Sequence, residues 1–391
     1  MLESETRRLA RCHNIADLRA LAEKRLPRKI FAYLDGGADD EVSMRANERA
    51  FDRYSLVTRT LVDVGEIDIS TTVLGRKIDW PVMLAPTGMS RLFHHDGECA
   101  VARAAARSGT LYTLSTVSTV SIEEVGAAAD GPKSFQIYMF RDRGLVTEFI
   151  ERARGAGYTS LCLTVDVPVA GNRERDLRAG LSGPRTMLDG LAHPPWLWRY
   201  LTGEPLMLAN VAHKVPGGRD LATLADYVSA QFDPGVTWDD AAWIIEQWDG
   251  PFAIKGILSA QDAMRAASIG ATAVIVSNHG GRQLDGVAAP IDVVGEIADA
   301  VGDQVEIILD SGVRRGTHVL KALAMGARAC MIGRPYLYGL GAGGETGVDR
   351  ALALLRAEIE RDMAIMGCRS LGELDSRSIR RQARHDLDPT I

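Results

Sequence analysis

The sequence predicts an α/β fold, an eight-stranded parallel (β/α)8 TIM barrel, with a helical N-terminal segment and one long loop insertion after the fourth strand. Three observations predict it. Past residue 80, short runs rich in Val, Ile and Leu alternate with amphipathic stretches, the pattern of buried parallel strands and covering helices. Eight such units fit within about 250 residues, the usual span of this barrel. The glycine-rich turn that a doubly wound sheet places after its first strand is missing.

The elements follow in order. Residues 1–80 form a leading segment in which DLRALAEKRLPRKIFAYLDGG (17–37) reads as helix, broken near Pro27 and turning at Gly36–Gly37. The strand candidates are 81–88, 110–116, 134–139, 160–168, 252–257, 273–280, 306–312 and 329–335. Between them ECAVARAAARSG, GLVTEFIERARGAG, SAQDAMRAASIG, PIDVVGEIADAVG and HVLKALAMG read as helices, each stopped by glycine, the expected C-terminal signal. Residues 169–251 are far too long for an ordinary loop, and such excursions are functional or partly disordered. GVDRALALLRAEIERDMAIMG (347–367) reads as a closing helix, and RSIRRQARHDLD after it as a solvated terminus. The expectation is one domain over 1–391: barrel at 81–168 and 252–345, insertion at 169–251, helix and tail at 346–391.

Composition narrows the function. At 391 residues, 46% hydrophobic and 25% charged, the chain can bury a large core. A net charge of −6 without a basic run excludes nucleic acid as a partner. Five widely spaced cysteines without a CxxC pair argue against a disulfide framework or zinc site and for a reducing compartment. MLESETRRLARCHN lacks the apolar core of a signal peptide, and no run of about 18 apolar residues occurs. These features predict a cytoplasmic protein, with peripheral membrane contact left open. His94 and His95 before Asp96 lack further ligands at suitable spacing, so a solvated loop is the simpler reading than a metal site.

Polar residues cluster where the strands end: Pro86, Thr87 and Gly88; Ser115; Gln136 and Tyr138; Thr164 and Asp166; Lys255; Ser277, Asn278 and His279; Asp310; Gly333 and Arg334. Barrel enzymes build their sites at that face over a packed interior. One such residue could simply mark the start of a loop; all eight strand ends together point to a site. DSGVRRG (310–316) and GRP (333–335) follow strands seven and eight, a recurrent barrel phosphate site. Their small residues and helix N-termini suit an anion, with Arg314 or Arg315 and Arg334 as counter-charges. In SNHGGRQLD (277–285), His279 and Arg282 offer a base and a carboxylate anchor within one loop.

SNHGGRQLD stands in order with LPRKIFAYLDGGADDE, APTGM, LSTVS, FQIY, LTVDVP, IKGI, LDSGVRRG, IGRP and GETGVDRALALLRAEIERDM. Together they resemble the FMN-dependent 2-hydroxy-acid dehydrogenase/oxidase family over nearly the whole chain. The resemblance implies oxidation of an (S)-2-hydroxy acid to the 2-oxo acid. It implies His279 as the base and Asp166 as the carboxylate orienting it, with Tyr138 near the substrate hydroxyl. Arg173 and Arg282, assisted by Tyr33, would grip the substrate carboxylate. FMN would meet Pro86, Thr87, Gly88, Ser115, Gln136, Tyr138, Thr164, Lys255 and Ser277. Its ribityl chain and phosphate would meet Asp310, Ser311, Gly312, Val313, Arg314, Gly333 and Arg334. A homo-oligomer, as a tetramer, is also implied.

Three positions depart from the glycolate oxidase type: Gly88 for Ala, Val117 for Trp and Ser311 for Gly. The first two enlarge the substrate pocket; the third exchanges small for small. Residues 180–211 resemble the membrane-attaching segment of the bacterial dehydrogenases, and Trp196, Leu197, Trp198, Tyr200 and Leu201 beside Arg199 suit a lipid interface. A loop packed on the barrel or on another subunit is the plainer reading. The expected acceptor is a quinone or other carrier, with O2 as the alternative. L-lactate is the first substrate, from residues 233–257; (S)-mandelate follows, from VAGNRERDL (169–177). A different class stays open: an isomerase or aldolase binding a phosphorylated sugar, with Lys255 as a Schiff-base lysine.

Overall fold

The structure, a computed structural model, describes residues 5–179, 189–215 and 221–382. Four helices open the chain: α1 (Glu5–Ala10), α2 (Ile15–Arg25), α3 (Arg28–Asp35) and α4 (Val42–Arg49). α2 starts where the Asn14 side chain accepts from Asp17 N at 2.9 Å, and carries Asp17 in its first turn and Lys24 and Arg25 in its last. Both ends thus complement the helix dipole. It stops at Leu26 because Pro27 cannot continue it; Pro27 instead caps α3. The predicted break at Pro27 is therefore found.

β1 (Tyr54–Leu56), β2 (Thr71–Val73) and β3 (Arg76–Ile78) precede the barrel. The barrel strands are β4 (Val82–Leu84), β5 (Tyr112–Ser115), β6 (Lys133–Tyr138), β7 (Ser160–Thr164), β8 (Phe252–Ile257), β9 (Ala273–Val276), β10 (Glu306–Leu309) and β11 (Ala329–Ile332). They close in the order β10-β11-β4-β5-β6-β7-β8-β9, every pair parallel. All eight predicted strands exist, but most end earlier than expected. The run 160–168 is strand only to Thr164, and 273–280 only to Val276. The polar residues beyond leave the ladder to face the site instead.

Helices α5 (Gly97–Arg107), α6 (Ile122–Ala128) and α7 (Arg143–Gly155) follow β4, β5 and β6. The sequence reading passed over α6, although Ser121 and Glu124 form a capping box at its start. The insertion carries α8 (Glu174–Ala179), α9 (Pro194–Thr202), α10 (Leu221–Gln231) and α11 (Trp238–Trp248). It therefore carries four helices joined by loops, among them 203–211 and 232–237, while residues 180–188 of the suspected membrane segment lie outside the described part. α12 (Ala260–Ser268), α13 (Pro290–Val301) and α14 (Gly316–Ala324) complete the wall. α15 (Arg334–Met366) leaves the helical path at Gly343 and Gly344, so the closing helix is the second arm of a kinked element.

Two features correct the reading of the ends. β2 and β3 form a hairpin whose Val73, Leu74 and Ile78 are buried with barrel residues such as Met83, Ala253, Ile275 and Met331. The turn at Leu74–Gly75 has φ of 49° and 68°, the positive-φ geometry of a two-residue hairpin. Leucine is a rare choice there, which is why the hairpin was not legible. The charged tail is not wholly a solvated terminus: β12 (Ile379–Arg381) pairs antiparallel with β1.

Candidate active site

Strand register sets the site. Ser115 pairs with Gln136, Tyr138 with Thr164, and Thr164 with Lys255, so residues distant in sequence share one rim. Above them lies a cavity of about 270 Å³. Of the residues implied by the resemblance, all but three border it; Asp166, Gln136 and Ser277 stand directly behind its wall.

At its centre His279 Nδ1 lies 2.9 Å from Asp166 Oδ1. The ring is therefore held by a carboxylate at one nitrogen, leaving Nε2 for chemistry. His279, Gly280 and Gly281 all have positive φ, at 59°, 67° and 72°. Glycine is required at 281, where a Cβ would come 2.5 Å from Met44 N. Asp166 Oδ2 is buried without a hydrogen-bond partner among the described residues.

Arg282 donates from Nη1 to the Tyr33 and Gly36 carbonyls at 2.9 and 2.8 Å, and its guanidinium lies 5.0 Å from the Tyr33 ring centroid. Burial, then the neighbouring Arg173, pulls its pKa down to about 10. Two cations sharing one buried cavity call for an anion. Asp176, 3.5 Å from Arg282 Nη2, answers only in part, and burial raises its own pKa despite the arginines. Arg173 Nε is buried and has no hydrogen-bond partner among the described residues. Tyr138 stays protonated, because burial, then Asp166, raises its phenol.

Lys255 Nζ lies 2.7 Å from both Ser277 Oγ and Asp310 Oδ2. Burial alone would lower its pKa, but Asp310 and Asp166 together outweigh burial and raise it. A lysine kept as a cation is the wrong species for a Schiff-base nucleophile, which removes the support for the aldolase reading.

The phosphate-type loop turns through Ser311 and Gly312 at φ 85° and 83°. A Cβ at Gly312 would lie 2.1 Å from Asn47 O. Ser311 is more than a small replacement: its Oγ accepts from Gly280 N at 3.0 Å, tying this loop to the histidine loop. Arg315 turns away to Glu358, so Arg314 is the arginine that reaches the cavity, although Glu48 holds it at 2.7 Å. Arg334 donates to the Gly280 and Gly36 carbonyls at 2.9 and 2.7 Å, while its Nε has no partner among the described residues.

FMN fits these groups. Gln136 Nε2 is a buried donor without a partner among the described residues, next to the Ser115 hydroxyl that donates to its Oε1. Lys255 supplies fixed positive charge, and the N-termini of α14 and α15 flank the loops suited to a phosphate. Sequence reasoning missed much of the apolar lining: Met89 and Phe93 after β4, Leu208, Ala225 and Val228 in the insertion, and Phe232, which meets Tyr138 edge-on at 5.2 Å. Of residues 233–257 Lys255 borders the cavity, whereas the insertion's apolar wall comes from just before them. His94, His95 and Asp96 do come together, but Arg199 occupies His94 Nε2.

Known proteins are similar to this chain over nearly its whole length. "L-lactate dehydrogenase" of Caulobacter vibrioides is 44% identical over 364 residues, covering 92% of this chain and 95% of that protein. The same-named protein of Pseudomonas aeruginosa is 42% identical, covering 94% and 97%. The solved monotopic membrane protein (S)-mandelate dehydrogenase superposes with a TM-score of 0.91 at 38% identity, covering 95% of this chain and 100% of its own. A mandelate oxidase structure follows at 0.81 and 36%, covering 95% and 100%. The profile of the FMN-dependent dehydrogenases matches residues 22–381, and the chain belongs to that family.

Proposed function

We propose that the protein oxidises an (S)-2-hydroxy acid to the 2-oxo acid, L-lactate to pyruvate in the first instance. The observation that carries this is His279, held by Asp166, in one cavity with the half-buried pair Arg173 and Arg282. The arginines take the substrate carboxylate; Arg282 is fixed for this by two carbonyls and Tyr33. His279 takes a proton at Nε2, from the hydroxyl or from the α-carbon, and Asp166 stabilises the imidazolium that results. Tyr138, kept neutral, donates a hydrogen bond near the substrate hydroxyl. FMN, when bound, accepts the two electrons that leave the acid. Pro86, Thr87, Gly88, Ser115, Gln136, Thr164, Lys255 and Ser277 hold its ring system. Asp310 to Arg314, Gly333 and Arg334 hold its ribityl phosphate.

The test is anaerobic titration of the purified flavoprotein with L-lactate and (S)-mandelate, using the opposite enantiomers as controls. Rapid bleaching by an S-acid alone is expected. A flavin that neither acid bleaches would overturn the substrate class. (S)-mandelate is the second reading, favoured by two small residues on the cavity wall, Gly88 and Val117. A Cβ at Gly88 would come 2.7 Å from Val117 Cγ2, so this wall is kept back by two small side chains together.

No helix among the described residues is long and apolar enough to cross a membrane. We place the protein peripherally on the inner face of the cell membrane, attached through 180–211, with a quinone as acceptor. The support is α9, which has no buried residue and displays Trp198 and Leu201 at 69% and 58% exposure. Stoichiometric hydrogen peroxide, formed as fast as artificial acceptors are reduced, would favour O2 instead.

A further inference from the structure

A second cavity, of about 230 Å³, lies between α2, the turn after β4 and α9. Its aromatic wall is Phe93, Trp196 and Tyr200. Trp196 and Tyr200 stack at 5.0 Å, and Trp196 Nε1 donates to Leu92 O at 2.8 Å, pinning α9 to the barrel. Its polar wall includes Arg91, His94 and Arg199. Arg91 Nε is buried without a hydrogen-bond partner among the described residues. The outer side of the same helix carries the exposed Trp198 and Leu201.

Phe93 also borders the first cavity. There it stacks on Tyr33 at 6.2 Å and 16°, and Tyr33 lies under Arg282. A single aromatic partition therefore separates the substrate chamber from a cavity that opens beside an exposed apolar helix.

We propose that this second cavity binds the headgroup of a membrane quinone, the acceptor for the oxidation. The inference rests on the membrane-dehydrogenase reading above and adds the acceptor's place. A quinone ring is flat and suits a wall of ring faces. Its two carbonyl oxygens need donors, which the arginines provide, and their cationic charge stabilises the oxygens as they gain electrons. The overall change balances: the 2-hydroxy acid loses two electrons and two protons, and the quinone gains two of each to become the quinol. Protons for the quinone oxygens reach the cavity from solvent along His95, Asp96 and His94. His95 Nε2 and His94 Nδ1 lie 3.1 and 3.3 Å from the Asp96 carboxylate. An anionic lipid headgroup is the rival occupant, since Arg8, Lys24 and Arg25 also line the wall beside Glu204; it gains nothing from the ring faces, which a quinone uses.

The test uses the complete flavoprotein with decylubiquinone, and the variants Arg199→Gln and Tyr200→Leu, neither of which borders the substrate chamber. Three quantities are read: the rate of flavin reduction by the accepted acid, turnover with decylubiquinone against turnover with ferricyanide, and quenching of tryptophan fluorescence by decylubiquinone. Flavin reduction and ferricyanide turnover should stay within about twofold of wild type. The KM for decylubiquinone and the quenching midpoint should rise about tenfold, the loss of one hydrogen bond to a charged donor. Arg199→Lys should recover part of it. Unchanged quinone KM and quenching in both variants would overturn the site while leaving a quinone acceptor intact. Unchanged quinone KM with lost binding to phosphatidylglycerol vesicles would make the cavity a lipid-headgroup site and overturn the proposal. A wild-type enzyme whose flavin is reduced by the acid but never reoxidised by decylubiquinone would overturn the membrane-acceptor reading itself.

Discussion

His279 occupies left-handed backbone, which costs a non-glycine residue about 1 kcal/mol or more. The surroundings hold it there. Its N–H meets Ser277 Oγ at 3.0 Å, the following Gly280 N meets Ser311 Oγ, and Arg334 grips Gly280 O. Such a conformation suggests how to remove the imidazole cleanly, since asparagine tolerates positive φ better than other side chains. His279→Asn should leave the fold and the flavin spectrum unchanged while substrate reduction slows by about 10²–10⁴-fold, the usual worth of a positioned base. Stopped-flow reduction checks this, and a rate near wild type would refute the role. At this scale the sequence was readable where chemistry demands a residue type, as at His279, Arg282 and Lys255. It was unreadable where a residue matters by reach: Phe93, Val228 and Asp176 carry no mark distinguishing them from core or surface.

Among the elements, α4 is the plate against which both active loops are built. Asn47 and Asn278 exchange two side-chain hydrogen bonds at 2.8 and 2.7 Å, buried on both sides. Asp285 accepts from the Val42 and Ser43 amides at the helix start, and Gly312 packs on Asn47 O. Nothing in the pattern around Asn47 announces this, because an asparagine in a polar helix reads as solvated. Only the tertiary fold brings it to Asn278, 231 residues away. The alternating apolar runs, by contrast, specified the barrel strands locally. Asn47→Ala should cost about 1–3 kcal/mol, since among the described residues the Asn278 side chain keeps only Ala288 O and Gly281 N as partners. Denaturant midpoints measure that loss. Because Asn278 directly precedes His279, kcat should fall as well. A variant with wild-type stability and kcat would mean that α4 is mere cover.

For the whole molecule, stability toward acid turns on a histidine outside the catalytic pair. His318 lies against Phe51, ring centroids 4.2 Å apart and planes 8° apart. Burial, then Lys321, lowers its pKa to about 3. The folded state thus keeps this ring neutral while the unfolded chain binds a proton near pH 6.5. The stabilisation is complete above that pH and is lost as the pH falls toward 3, because the unfolded state then holds the extra proton. By pH 5.5 the loss from this one group is about 1.4 kcal/mol. Carboxylates with lowered values, such as Asp35 and Asp310, act at lower pH, so the window from 7.5 to 5.5 isolates the imidazole. Urea midpoints should show wild type losing about 1.4 kcal/mol more than His318→Gln across that window; equal losses would refute the assignment. The same proton should loosen the cofactor. His318 Nδ1 lies 3.3 Å from both Gly312 O and Arg314 N, so charging the ring disturbs the loop proposed to hold the phosphate. Flavin release on acidification should therefore track the loss of stability in wild type and be blunted in the variant.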